Sequence, residues 1–334
     1  MALTAREFHL RRRPVGMPTN DDFELQTLDL PALGPGQVRV TNLYLSVDPY
    51  MRGRMTEAKS YVPPFELGAA LEGGAVGRVE ESTLPAFAVG DVVLSMMGWR
   101  DRFVTDGKGL SKIDPALAPL SAFLGTLGMP GFTAYVGLLD VGELKEGETV
   151  LVSGAAGAVG SVACQIAKAK GCTVIGVTGS DEKARWLLDN GCVDHAINYR
   201  TAPKLKAAIQ TAGPEGVDLT FENVGGDQLE AALACSKTFA RIVLCGLIAN
   251  YNATSPAPGP SNFRDVLTKR LRIQGMIVTD HAKRRPDFLR DMSDWIKTGK
   301  MKWTETIVEG LERTPEAFAG LFEGRNLGKM VVKI

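Results

Sequence analysis

A chain of 334 residues is longer than a single hydrophobic core commonly serves, so two lobes are expected before any motif is read. Its 45% apolar and 23% charged residues are those of an ordinary globular protein and exclude a disordered or fibrous chain. Lysine plus arginine and aspartate plus glutamate number 38 each, which leaves no electrostatic footprint for nucleic acid or an anionic membrane.

Up to about Leu110 the chain reads as short β segments, such as Gln37 to Leu45 and Gly74 to Glu80, punctuated by Pro31, Gly34-Pro35-Gly36, Pro63-Pro64 and Gly90-Asp91. That spacing suits a compact β-rich lobe. The basic run Arg11 to Arg13 reads as a solvated strand edge or turn. From Gly131 the period changes: Thr149 to Ser153 is an apolar strand, Val159, Val162, Ala163, Ile166 and Ala167 recur at helical spacing, and Thr173 to Thr178 is a second apolar strand. Strand, helix and strand with wholly apolar strands imply a parallel sheet covered on both faces. A helix from Asp181 to Asn190-Gly191, a strand over Val217 to Glu222, a helix from Asp227, and strands over Arg241 to Cys245 and Leu271 to Val278 continue the alternation. About six such strands make a doubly wound domain. After a helix near Phe288 to Lys297, two β segments, Glu305 to Val308 and Lys329 to Ile334, are free to complete either lobe; Ser255 to Ser261 is the most loop-like stretch.

Directly after the first parallel strand comes Gly154-Ala155-Ala156-Gly157-Ala158-Val159-Gly160, with the helical run beginning inside it. In that context the glycines read as a dinucleotide-binding turn: Gly157 admits a pyrophosphate to the backbone, Gly160 lets helix and strand pack closely, and the helix N-terminus offers N–H donors to the anion. Ala155 stands where the first glycine is usual; the rival reading is a merely tight turn. The second strand ends in Val177-Thr178-Gly179-Ser180 with no acid for the ribose hydroxyls, and Lys183 follows, which favours NADP(H) over NAD(H). Alternatively Lys183 is a surface lysine and Asp181 takes the acid's role, although Asp181 suits a helix N-cap better.

No cysteine precedes Cys164, and His9 is the only histidine of the first lobe, so a tetrahedral zinc site of the alcohol dehydrogenase kind is not expected and no metal is assigned. Hydride addition to an enone develops a delocalised enolate and needs no Lewis acid, which points to double-bond or quinone reduction. His195 and His281 read as surface or core residues. Cys164, Cys172, Cys192, Cys235 and Cys245, without CxxC spacing, read as reduced thiols. With no run of about 18 to 20 apolar residues and no secretion-type segment, the expected location is the cytoplasm.

The sequence resembles the prostaglandin reductase, alkenal double-bond reductase and curcumin reductase branch of the zinc-free medium-chain dehydrogenase/reductase superfamily. The likeness runs nearly end to end, in Pro18 to Phe23, Leu45 to Arg52, Leu127 to Tyr135, Ser180 to Lys183, Phe221 to Gly226 and Arg325 to Lys329, and in Leu71-Glu72, where zinc relatives carry His before Glu. It implies a GroES-like substrate domain over 1–125 plus 300–334, a Rossmann NADP-binding domain over 126–299, and a homodimer. Carried onto this sequence, Ala155 to Gly160 cradle the pyrophosphate, and Lys183 and Tyr199 hold the 2′-phosphate end with Gly179 and Ser180 nearby. Asn223 lies on the ribose and nicotinamide side. Met129 and the loop with Cys245, Gly246, Leu247, Ile248 and Tyr251 line the cofactor, and Met276, Ile277 and Val278 with Asn326 close the nicotinamide pocket. Tyr251 and Tyr50 match positions placed against a substrate carbonyl. Tyr251 is the favoured donor, whereas Tyr50 is alternatively an aromatic wall; Thr268 stands where some relatives have a further tyrosine, so substrate preference does not transfer. The implied function is NADPH-dependent reduction of the C=C bond of α,β-unsaturated aldehydes and ketones. Alternatives are an NADPH:quinone reductase and a non-catalytic NADPH-binding structural protein; nucleic-acid and membrane partners find no support.

Overall fold

The computed structural model describes residues 3–334. The chain divides into two compact units: one runs up to Leu124 and resumes at Glu305, and the other spans Gly125–Thr304. In the first unit, strands β1 (Thr4–Leu10) and β2 (Phe23–Asp29) form an antiparallel pair. Strands β3 (Val38–Ser46), β4 (Ala75–Ser82), β5 (Val92–Ser95), β6 (Arg102–Thr105) and β7 (Ser111–Lys112) follow, interrupted by a short helix α1 (Tyr50–Arg54). The all-β expectation therefore omits one helical turn, placed where Pro49 presets a helical φ at the N-cap.

The middle unit begins with helix α2 (Met129–Val136) and then alternates: β8 (Thr149–Val152), α3 (Ala158–Ala169), β9 (Thr173–Thr178), α4 (Asp181–Asp189), β10 (His195–Asn198), α5 (Leu205–Ala212), β11 (Val217–Glu222), α6 (Gly226–Cys235) and β12 (Ser236–Leu244). It closes with α7 (Arg264–Thr268), β13 (Arg272–Gly275) and α8 (Arg285–Lys297). All six strands are parallel, in the order β10-β9-β8-β11-β12-β13, the doubly wound arrangement in which ligands bind beyond the strand ends where the order reverses, beside β8 and β11. Strand β10 carries His195, which thereby sits at an exposed strand start. The strand expected from Arg241 starts five residues earlier, with Phe239 held at φ 64°, and the strand expected over Leu271 to Val278 pairs only over Arg272–Gly275.

The chain then returns to the first unit as β14 (Glu305–Glu309), α9 (Thr314–Glu323) and β15 (Lys329–Lys333). Strand β15 pairs with β3, and β14 extends the same sheet beyond it, so both segments complete the first unit. The core here is aromatic: Trp99, fully buried, stacks on Phe23 with ring centroids 5.4 Å apart and meets Phe8 and Phe318 edge-on. Among the described residues no helix is long and apolar enough to cross a membrane.

Candidate functional site

The turn after β8 is built from small residues because its backbone doubles back against the sheet. Ala155 donates its N–H to Val177 O of β9 (2.9 Å), and Gly157 donates to Gly154 O (2.9 Å) before α3 starts at Ala158. A Cβ on Gly160 would lie 2.3 Å from Gly154 O, so a side chain there would force the helix off the turn. Ala155 and Ala156 are buried, whereas Gly157, Ala158 and Val159 are half-buried. The N–H groups of Ala158, Val159 and Gly160 precede the i→i−4 ladder of a twelve-residue helix and are the donors such a terminus presents to an anion. This cradle fits a pyrophosphate.

At the end of β9 the cap is Ser180, whose Oγ accepts from Lys183 N–H (3.3 Å); Asp181, expected at the N-cap, is the first helical residue instead. Its carboxylate accepts from Asn198 Nδ2 (2.7 Å). Asp181 is thus engaged by the neighbouring strand, which weakens the reading that gives it the ribose hydroxyls. Gly179 leaves room for Tyr199, since a Cβ there would come within 3.2 Å of the phenol ring. The Arg200 guanidinium lies 5.8 Å from the centre of that ring. Partial burial, and then the charge of Arg200, push the Lys183 ammonium below its ordinary pKa, so these two cations stabilise an anion better than they tolerate each other. Gly179, Ser180, Lys183 and Tyr199 are therefore brought together; Arg200 was not foreseen, although a second cation two residues beyond β10 was visible once that strand was known. A phosphomonoester fits this donor set.

Beyond β11 and β12, Asn223 donates its side-chain Nδ2–H to Ser153 O (2.7 Å). Ile248 N–H donates to Asn223 O (3.3 Å), fastening the loop that follows β12. Cys245, Gly246, Leu247, Tyr251, Met276 and Ile277 line an open cavity of about 390 Å³, together with Asp280, which sequence reasoning missed. Val278 follows as the first residue of a helical turn and is not among the lining residues, and Met129 opens α2 with its Sδ near Thr133 Oγ1 (3.6 Å). Tyr251 Oη accepts from Leu247 N–H (3.4 Å), which leaves its own proton available outward; burial pushes the phenol above its usual pKa, so it stays neutral. Burial likewise pushes the Cys245 thiol up to about 12.

In the first unit Tyr50 opens α1 and packs on the aromatic core; burial, and then the Asp48 carboxylate, raise its pKa. Asp48 is buried and paired with Lys329 Nζ (2.9 Å), which also donates to Val47 O (2.7 Å), while Ser46 Oγ donates to the other carboxylate oxygen. That ion pair joins β15 to the Tyr50 turn and was not legible in the sequence. Asn326 donates to Gly328 O (2.8 Å) within the same unit. His9 contacts Glu7 (2.8 Å) and His281 faces Asp140 (3.5 Å). Among the described residues no three His, Cys, Asp or Glu side chains gather where they could hold a metal ion.

A doubly wound sheet with an anion cradle at its switch point and a cationic end to its second strand defines a dinucleotide-binding oxidoreductase. Residues 6–113 match the family model described as the N-terminal domain of oxidoreductase, and residues 158–298 match that described as zinc-binding dehydrogenase. The chain is 47% identical to prostaglandin reductase 1 of Bos taurus over 98% of its own length and 99% of the relative's. It is 43% identical to the NADPH-dependent curcumin reductase of Escherichia coli (98% and 96% covered). The crystal structure of CurA in complex with NADPH from Vibrio vulnificus superposes with a TM-score of 0.92 at 44% identity, 98% of each chain being covered. The chain belongs to the medium-chain dehydrogenase/reductase superfamily, in the branch of the prostaglandin, alkenal and curcumin reductases.

Proposed function

We propose that this protein is an NADPH-dependent reductase that saturates the carbon-carbon double bond of α,β-unsaturated aldehydes and ketones. One observation carries the cofactor choice: at the end of β9 a lysine, an arginine and a phenol meet, and the nearby acid, Asp181, is bonded to Asn198. In this reading the Ala155 to Gly160 turn holds the pyrophosphate, Lys183 and Tyr199 hold the 2′-phosphate, and Asn223, Met129, Cys245 to Ile248 and Met276 to Val278 embrace the nicotinamide half. A reduced nicotinamide, when bound, supplies the hydride that reaches the β-carbon.

The protein's own contribution is to polarise the acceptor. Tyr251, kept neutral by burial and already accepting from Leu247 N–H, donates its O–H to the substrate carbonyl oxygen and stabilises the developing enolate; a proton taken up from solvent at the α-carbon completes the reduction. Tyr50 serves as an aromatic wall. The domain assignment belongs to the same proposal: the first unit, completed by the C-terminal strands, is the substrate domain and the middle unit is the nucleotide domain. A homodimer is also part of it, supported by the position of β13 at the sheet edge and by exposed Phe239, Phe263 and Leu267 nearby on the middle unit, and the cytoplasm is the location that goes with it.

The test follows NADPH loss with short alkenals, aryl enones, prostaglandin-like 15-oxo ketones and quinones, comparing wild type with Tyr251→Phe. Loss of the phenol proton should lower kcat/KM on an alkenal by about 10²-fold. Unchanged turnover removes Tyr251 from the chemistry, and turnover of quinones alone replaces the enone assignment.

A further inference from the structure

One acidic side chain in the middle unit has no part in the chemistry above. Glu222, the last residue of β11, is 0% exposed, and its two oxygens are treated unequally. Oε1 accepts from Ser153 Oγ–H (2.7 Å), Val224 N–H (2.7 Å) and Gly225 N–H (2.8 Å); Oε2, equally buried, has no partner. The main-chain carbonyl of Glu222 accepts in turn from the N–H groups of Cys245 (2.9 Å) and Gly246 (3.1 Å). Strands β8, β11 and β12 are neighbours, so this single residue touches the loops at the C-terminal ends of all three.

Burying a carboxyl group is costly, and an apolar side chain would fill the same space more cheaply, so its presence calls for a gain in geometry. That gain lies at Asn223. The Asn223 N–H donates to the same Ser153 Oγ that donates to Glu222 (2.8 Å), and Asn223 Nδ2 is engaged by Ser153 O (2.7 Å). Both nitrogens of Asn223 therefore donate to Ser153, the amide through one of its two N–H bonds, which orients the side chain and leaves its Oδ1 as an acceptor with no protein donor among the described residues. Burial pushes the Glu222 carboxyl above the usual carboxylate range, and a neutral acid or an amide would supply the one acceptor oxygen that the three donors use.

We propose that Glu222 is a positioning residue: through Ser153 and the Val224–Gly225 turn it locks the Asn223 amide so that Oδ1 accepts from a donor group on the nicotinamide half of the bound dinucleotide. The proposal rests on the nucleotide-binding reading above and concerns only one half of that ligand. Its test titrates NADPH, and separately 2′,5′-ADP, which lacks the nicotinamide half, into wild type, Glu222→Gln, Glu222→Leu and Ser153→Ala, with steady-state kinetics on one alkenal.

Gln keeps the acceptor oxygen and should bind NADPH within about threefold of wild type, whereas Glu222→Leu and Ser153→Ala should bind it about tenfold more weakly. The rise should appear in KM for NADPH with KM for the alkenal unmoved, and 2′,5′-ADP should bind all four proteins alike. Wild-type NADPH affinity in Ser153→Ala overturns the proposal, as does equal weakening of 2′,5′-ADP and NADPH, or a Gln variant as poor as the Leu one. Ser153→Ala keeps both backbone bonds to Glu222 and so decides the matter if Glu222→Leu does not fold. Failure of wild type itself to bind NADPH would instead sink the nucleotide reading.

Discussion

The two units solve the problem of fixing loops in opposite ways. In the first, cations are driven into the interior: Arg52 (3% exposed), Arg54 (8%), Arg100 (7%) and Lys329 (4%) each donate to main-chain carbonyls, at Pro14 and Gly16, at Pro63, at Leu71 and Gly98, and at Val47. In the middle unit the interior is lined by apolar residues of β8 and β9, and Glu222 is the one acidic or basic side chain of that unit buried among the described residues. The segment from 55 to 74 lies outside the regular strands and helices and meets other backbone only at scattered points, such as Phe65 N–H to Arg54 O and Leu71 N–H to Phe8 O, and a buried guanidinium with five donors pins several of its carbonyls at once. A parallel sheet needs no such help, because its ladder and its covering helices satisfy the backbone.

The contrast can be broken at its weakest joint. Lys329→Met leaves the buried Asp48 carboxyl without its cation, and should destabilise the first unit by about 3–5 kcal/mol, seen as an earlier first transition in thermal unfolding by circular dichroism. A wild-type melting profile would show that the pair is dispensable. In the middle unit the vulnerable element is backbone packing, so Gly160→Val should abolish measurable NADPH binding: the added atoms meet Gly154 O and Ala155 Cα, neither of which can step aside. Retained fluorescence enhancement of NADPH would place the nucleotide elsewhere.

A smaller effect sharpens the electrostatic side. Lys183→Ala should weaken NADPH by about 10- to 100-fold and leave NADH nearly unchanged, since only one of the two carries the extra phosphate. Equal losses for both nucleotides would assign Lys183 to the surface. The smallest change is expected of the thiols. Burial holds Cys192 at about 11 and Cys245 at about 12, so the reactive thiolate is scarce below pH 9 and rises only in strong base. Iodoacetamide at pH 8 should leave the native protein almost unlabelled; stoichiometric modification within minutes would contradict that burial.

Much of the middle unit was legible because its signals are local. The apolar runs of β8, β9 and β11, the glycine turn and the Asn190-Gly191 stop all lie within a few residues of what they determine. Strand β10 was missed because, at the sheet edge, only Ile197 of its four residues is buried, and α5 because Ile209 is its sole buried residue. Helix α9 lacks a side-chain cap at its start, with Arg313 at that position. The cap falls one residue before Asp181 because serine and aspartate serve equally well there, and only the structure shows Ser180 Oγ taking Lys183 N–H while Asp181 turns to Asn198. The Asp48–Lys329 pair joins residues 281 apart, a relation no window along the chain can reveal.

The return of β14 and β15 to the sheet begun by β3 also sets an order of assembly. The middle unit is one uninterrupted stretch that can collapse while synthesis is still under way, but the first unit must wait with the Tyr44–Ser46 end of β3 unpaired until residues 305–334 emerge from the ribosome. Early nascent chains therefore expose an apolar strand that holdase chaperones would shield, and even a short C-terminal deletion removes the piece that shuts it.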